Sequence, residues 1–427
     1  MLTLDMPAGE SSMDVTTSFQ EWQRDTLRAG LLPVIGIAGT TGKSTVLRLV
    51  DCIFRKAGLR TATWSDLGVE IRGRRQRGEL SGWGLALSRL AEGNIDVAIQ
   101  ELHWSTIHAV GLPAASYPIL ALTNLRGAPE APWNENTLNM ATHAALKIAE
   151  AGHPKGILVL NGDDYSLIEA SRKTESMPVV IAHSRESPAL SRQLRAERPS
   201  MWTENGVFVA STSAGIRHMM PINGTPLTMH GAANFQVTNV MIAASIAGAV
   251  GIADQTIISA CSEFRSDPDM LPGSFNVWDS GAVRAVVSTL LASWQMKQVL
   301  KAINPGSHRR QISVIGDLSS LEFNDVVELG RLLGRYHGAI VLHSNQDDSR
   351  VDALRHGITA NEFPPLIIHL PTERKAINRA FRTARDNDVV LLLPTGDPGP
   401  SCRATSRFIE SDADRSDLVR PDGISDF

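Results

Sequence analysis

The segment from residue 32 to residue 57 restricts the fold more than any other part of the chain. Residues 32–37 are apolar and partly β-branched, and residues 44–57 repeat apolar side chains at three- and four-residue spacing, so a buried strand runs into a helix. Between them stands Gly36-Ile37-Ala38-Gly39-Thr40-Thr41-Gly42-Lys43-Ser44-Thr45. Glycines let a backbone curl until several N–H groups point inward, and the helix N-terminus adds partial positive charge. Lys43 supplies a full cation for the β- and γ-phosphates of a nucleotide, and Ser44 brings a hydroxyl to Mg2+. Gly39, Thr40, Thr41, Gly42, Lys43, Ser44 and Thr45 are therefore the candidate nucleotide-binding residues. The spacing differs from the common G-x-x-x-x-G-K-[ST] form, because Ile37 occupies the position five before Gly42. It fits G-x-x-G-T-x-G-K-[ST] instead.

Such a loop needs a sheet behind it. Further strand patterns fall at residues 97–99, 119–122, 157–160 and 179–182, with a helical stretch at 137–151 among them, and this alternation implies a mostly parallel α/β sheet. Near Pro272-Gly273 the pattern restarts, with strands expected at 274–277, 285–288, 312–315, 339–342, 366–369 and 389–393. A second α/β domain follows. Asn205-Gly206 and Asn223-Gly224 stand close together and suit antiparallel hairpins at 199–228. The 427 residues accommodate two or three domains at roughly 100 to 200 residues each. The expected organisation is an N-terminal extension over 1–30, ending in a short amphipathic helix at 20–29, then a central domain over 31–270 with the hairpin insert. A C-terminal domain over 271–400 and a polar tail over 401–427 complete it.

Composition narrows the partners. Lysine and arginine number 41 against 45 aspartate and glutamate residues, so no basic excess is present to neutralise a phosphate backbone and no nucleic acid is expected. Cys52, Cys261 and Cys402 stand far apart without a C-x-x-C pair, which supports neither a disulfide framework nor a zinc site and points to a reducing compartment. The apolar run 240–253 is shorter than the about 20 residues a membrane span needs, and residues 1–20 lack a basic start and an apolar core. A buried helix, no membrane and a cytoplasmic location are the expectations.

The loop's spacing resembles that of the Mur ligase superfamily, enzymes that form amide bonds by activating a carboxylate as an acyl phosphate with ATP. Glu101 sits where that family has a glutamate after a strand, Thr123-Asn124 resembles its Thr-Asn pair, and Leu160-Asn161-Gly162-Asp163-Asp164 its Leu-Asn-Ala-Asp-Asp. Pro226-Leu227-Thr228, Gly231 and Phe235-Gln236-Val237-Thr238-Asn239 are most similar to the branch formed by the C-terminal ligase module of cyanophycin synthetase. Pro272-Gly273-Ser274-Phe275-Asn276 resembles the Pro-Gly-Arg-Phe-Asn that opens the family's C-terminal domain. The resemblance runs from Gly36 to about Pro394. It implies a P-loop Mur-ligase-like central domain and a C-terminal α/β domain, with ATP and Mg2+ as cofactors. It makes Lys43 and Glu101 the catalytic residues, Ser44 and Glu101 the metal ligands, and Asn239 a further nucleotide-binding residue. An ATP-dependent acid–amino acid ligase is implied, acting on a small amino-acid or peptide-like substrate, as a homo-oligomer or with a partner biosynthetic enzyme.

The departures fall on chemistry. Where the family has an Asp-His pair this chain has Ala128 and Pro129, and the family's lysine falls by spacing at Ala145, with Lys147 on a different helical face. Trp104-Ser105-Thr106 replaces Arg-Gly-Gly, and Ser288-Thr289-Leu290-Leu291-Ala292-Ser293 replaces Asp-Tyr-x-His-Asn-Pro. A degenerate, non-catalytic nucleotide-binding subunit that partners an intact biosynthetic enzyme therefore stands as the second reading. Glu130, Glu135, His143 and Lys147 lie near the missing positions as candidate replacement ligands or an alternative cation, with polar surface residues as the plainer reading, and residues 72–77 offer a basic patch for an acidic substrate or, more simply, a solvated hairpin. His103 and His108 straddle Trp104 but lack the third ligand that a zinc site needs.

Overall fold

The computed structural model describes residues 34–65, 67–76, 94–112, 117–125, 135–303, 310–343, 349–394 and 396–418. The short helix expected at 20–29 lies outside them. The chain forms two compact units that divide between Arg265 and Ser266.

The first unit is built on strands β1 (Val34–Ala38), β2 (Thr61–Ser65), β3 (Gly68–Ile71), β4 (Arg74–Arg75), β5 (Val97–Leu102), β6 (Tyr117–Leu122), β7 (Gly152–Asn161), β8 (Met177–Ala182), β9 (Ser200–Glu204), β10 (Val207–Thr212) and β11 (Gly215–Pro221). They form one sheet in the order β11-β10-β9-β8-β7-β6-β1-β5-β2-β3-β4. β1 lies between two parallel neighbours, with Ile35 opposite Ile99 of β5 and Ile119 of β6. All three strands are buried along their length. That is why their sequences are apolar runs rather than alternating ones, since helices cover both faces of a parallel sheet. The stretch expected as hairpins supplies β9, β10 and β11, which pair antiparallel with one another. They extend the main sheet through the parallel β8–β9 ladder. At the opposite edge the basic segment forms β4, whose Arg74 and Arg75 are exposed.

The helix after β1, Lys43–Lys56, buries Val46, Leu47, Leu49, Val50, Ile53 and Phe54. The apolar run at 240–253 falls largely within the helix Asn234–Val250, which is buried nearly all round, as a helix without a polar face must be. Among the described residues, no helix is long and apolar enough to cross a membrane.

The second unit has its own sheet, of β12 (Asn276–Asp279), β13 (Arg284–Val287), β14 (Gln311–Ile315), β15 (Gly338–Leu342), β16 (Leu366–His369) and β17 (Val389–Leu393). Their order is β12-β13-β17-β14-β15-β16, parallel apart from the β12–β13 pair. Asn276 fixes the turn that enters it: Oδ1 accepts from Gly273 N at 2.7 Å, and Nδ2 donates to the carbonyls of Ser266 and Leu271 at 2.9 Å each.

One expectation requires correction. The polar tail assigned to residue 401 onward begins as a helix, Gly399–Leu418, in which Ser401, Cys402 and Thr405 are buried. Phe408 stacks on Phe381 with ring centroids 4.2 Å apart. Ser401 and Thr405 interrupt the inward face among Cys402, Ala404, Phe408 and Ile409, so the apolar stripe is short.

Candidate functional site

The loop leaves β1 at the carboxyl edge of the sheet, where parallel α/β sheets place ligands. Its shape depends on two glycines. Gly42 has φ +84°, and a Cβ there would collide with Asn239 Oδ1. A Cβ on Gly39 would collide with Thr123. Only glycine meets both requirements at once.

Neighbouring strand ends hold the loop. Asn124, just beyond β6, accepts from Thr40 N through its carbonyl at 2.9 Å and from Thr41 N through Oδ1 at 3.1 Å. Thr123 Oγ1 and Asn124 Nδ2 both donate to the carbonyl of Thr41. The N–H groups of Thr40 and Thr41 are thus engaged by the protein, which leaves the helix's first turn as the anion-facing part of the loop. That turn has neither a capping side chain nor an acidic residue, so its positive end is not neutralised from within. Thr45 is buried. Trp104, where the resemblance places an arginine, donates from Nε1 to Thr40 Oγ1 at 3.4 Å.

Glu101 stands on the adjacent strand, β5, and its side chain is 2% exposed. Ser44 Oγ donates to its Oε1 at 2.9 Å. Lys43 Nζ and His103 Nε2 each lie 3.9 Å from the same oxygen. The other oxygen, Oε2, is buried and accepts no hydrogen bond among the described residues. A buried carboxylate oxygen left in that state is unfavourable by about 1 to 3 kcal/mol, and more where the group is charged. A divalent cation would relieve it, with the Ser44 hydroxyl as a second hard oxygen ligand. The residues present therefore fit Mg2+.

Asn239 is buried beside Gly42, and its amide donates to Gln236 Oε1 at 2.9 Å. It supports the loop from the helix Asn234–Val250. One residue earlier, Thr238 shares a 2.8 Å hydrogen bond with His183 Nε2 at the end of β8. Burial holds the His183 imidazole below its ordinary pKa. Neither Asn124's grip on the loop nor His183 carries a local sequence signal. Both depend on contacts between residues more than 50 positions apart.

The departures resolve unevenly. Ala128, Pro129 and Glu130 lie outside the described residues. Ala145 is fully buried in a cluster with Ala141, Ala144 and Ile148, so a lysine at that position would push an ammonium into the core. His143 is exposed and meets His108 edge-on with ring centroids 5.9 Å apart. In the second unit Ser288 is buried, and Ser293 Oγ donates to Asp325 Oδ1 at 2.6 Å.

Residues 37–247 match the family model of the Mur ligase middle domain. Cyanophycin synthetase from Nostoc sp. is 23% identical over 374 residues, covering 86% of this chain and 42% of that protein. The UDP-N-acetylmuramoyl-L-alanyl-D-glutamate–2,6-diaminopimelate ligase of Geobacillus kaustophilus is 22% identical over 383 residues, covering 86% and 74%. Among solved structures, the bifunctional folylpolyglutamate synthase/dihydrofolate synthase of Yersinia pestis, complexed with AMPPNP and Mn ion, superposes with a TM-score of 0.63 at 14% identity, covering 95% of each chain. The chain spans about two fifths of the length of the cyanophycin synthetases that it matches.

Proposed function

The chain belongs to the Mur ligase superfamily, and from that premise we propose that it is an ATP-dependent ligase that joins an acid to an amino acid. The acid's carboxylate attacks the γ-phosphorus, ADP leaves, and the amine then displaces phosphate from the acyl phosphate to give the amide. The observation that carries this reading is the convergence of Ser44, Lys43 and the buried Glu101 on one point beside an uncapped helix N-terminus.

In this reading the helix's first turn receives the triphosphate, and Lys43 places a positive charge beside the oxygens where negative charge grows during transfer. Thr123, Asn124 and Asn239 fix the loop so that no rearrangement is needed at that moment. Ser44 and Glu101 would hold Mg2+. When bound, the cation screens the repulsion between the attacking carboxylate and the phosphate. The substrate class is a small amino acid or peptide, in line with the names of the relatives. A homo-oligomer or a partner biosynthetic enzyme belongs to the same proposal, as does a cytoplasmic location.

Phosphate release measured against a panel of amino acids and short peptides tests this. Release that depends on one acid and one amine, and that Glu101→Gln abolishes, is the expected result. The second reading, a non-catalytic nucleotide-binding subunit, is favoured by the fully buried Ala145 and by Ser293, which is bonded to Asp325. Tight ATP binding with no turnover by the chain alone, followed by altered activity of a co-purifying enzyme, would select it.

A further inference from the structure

We propose that His103 supplies a nitrogen ligand to the cation held by Ser44 and Glu101, so that the site favours Mn2+ over Mg2+. The proposal rests on the nucleotide–metal reading above and adds a residue that the family resemblance does not assign. Three observations carry it.

His103 Nε2 is buried and lies 3.9 Å from Glu101 Oε1, the oxygen that accepts from Ser44 Oγ at 2.9 Å. Ligand atoms bound to one cation at about 2.0 to 2.2 Å stand about 3 Å apart when adjacent and about 4 Å apart when opposite. Both separations fall in that range, so small side-chain adjustments place all three donors around one ion.

His103 also stands at the N-cap of the helix Trp104–Val110, in extended backbone conformation, and its side chain makes no capping hydrogen bond. Its Nε2 approaches Glu101 from the end of the same strand. Glu101 itself presents a second oxygen, Oε2, which is buried and accepts no hydrogen bond among the described residues, so the carboxylate that the imidazole approaches through Oε1 is only half matched.

The donor set decides the preference. A hydroxyl and a carboxylate are hard oxygen ligands and suit Mg2+, which keeps its waters and demands near-ideal octahedral geometry. An imidazole nitrogen shifts a site toward first-row transition ions, and Mn2+ accepts the same oxygens while tolerating the nitrogen.

The test uses the full chain, produced with isotope-labelled histidine and loaded with Mn2+ and ATPγS, examined by pulsed electron paramagnetic resonance. A histidine-nitrogen coupling to Mn2+ is expected in the unaltered protein and in His108→Gln, and its loss in His103→Gln and His103→Asn. Competition by Mg2+ should also become more effective in the His103 variants, on the order of tenfold, comparable to losing an outer-shell partner. Bound Mn2+ without histidine coupling in the unaltered protein overturns the inference while leaving the nucleotide–metal reading intact, and so does coupling that persists in both His103 variants. No bound Mn2+ together with no heat of ATP binding overturns both. The unaltered protein alone can decide against the proposal, so it does not depend on the variants folding.

Discussion

The helix Lys43–Lys56 carries two buried polar clusters, and they are built on opposite terms. At its first turn, Lys43 and Ser44 face Glu101, which has one oxygen partnered and the other without an acceptor role. One turn further on, Arg48 is 2% exposed and its guanidinium grips both oxygens of Glu70 at 2.6 and 2.7 Å, with Thr63 as an additional contact. The Arg48 hydrogen bonds hold the Glu70 carboxyl below the ordinary glutamate range. A carboxylate whose oxygens are both matched ties the helix to the sheet edge. One that is half matched suits the cation site proposed above. The contrast separates structure from function along a single helix.

The largest effect should come from breaking the matched pair. Glu70→Ala removes the hydrogen-bonded carboxylate from the buried Arg48; losing one partner of a fully buried pair destabilises by about 3 to 5 kcal/mol, and the partly exposed Glu70 places this loss toward the lower end. Urea unfolding followed by circular dichroism measures it. If the variant lost under 1 kcal/mol, the two clusters would not differ in kind.

The next effect belongs to the unmatched cluster and appears in binding. Lys43→Ala should weaken ATP affinity by about 1.5 to 3 kcal/mol, the contribution of a charge-assisted contact, with the unfolding curve unchanged. Titration calorimetry with ATP and Mg2+ reads the first quantity. Equal affinity in the variant would remove Lys43 from the site.

Glu101→Gln should shift unfolding by less than about 1 kcal/mol, because replacing a buried, incompletely compensated charge by a neutral isostere is often neutral or stabilising. The same variant should lose the metal dependence of nucleotide binding. A stability loss as large as that of Glu70→Ala would show that Glu101 is structural, and the comparison would collapse.

Legibility in the sequence follows the range over which each signal acts. The strand, loop and helix around Gly36 to Thr45 were readable because three- to four-residue periodicity and glycine spacing are local, and the restart after Pro272-Gly273 was readable for the same reason. Contacts made across 57 to 83 positions, Ser44 to Glu101 and Thr41 to Asn124 among them, leave no periodic trace. The first pairing is legible only through the family resemblance. Arg48 reads locally as one more polar residue on an exposed helix face. Its burial follows from the placement of β3, which brings Glu70 under the helix. The helix Gly399–Leu418 is hard to read because the first turns of its inward face carry Ser401, Cys402 and Thr405, and Phe408 and Ile409 alone make too short an apolar stripe.

The smallest effect concerns pH and uses a second carboxylate of the matched cluster. Asp51 accepts from Thr61 Oγ1, yet burial pushes its carboxyl above the ordinary aspartate range, against the lowering effects of the Thr61 hydrogen bond and of Arg55 and Arg48. Asp51 and Glu70 therefore act with opposite signs. Because the folded state holds the Asp51 proton more tightly than the unfolded chain does, Asp51's contribution is fully present below its unfolded pKa and is lost as pH rises through its folded pKa. Glu70 holds its proton less tightly when folded, so its contribution is present above its unfolded pKa and is lost as pH falls through its folded one. On acidification from neutral pH, the Asp51 term strengthens the fold first, above the ordinary aspartate range. The Glu70 term weakens it later, below the ordinary glutamate range. Asp51→Asn keeps a carbonyl to accept the Thr61 hydroxyl and removes the titration. The difference in unfolding free energy between variant and unaltered protein, taken at each pH so that other carboxylates cancel, should favour the variant at neutral pH. That advantage should shrink steadily as acid is added. An advantage that instead grew on acidification would mean that the folded state holds the Asp51 proton less tightly than the unfolded chain does, and that Arg48 serves two matched carboxylates rather than one.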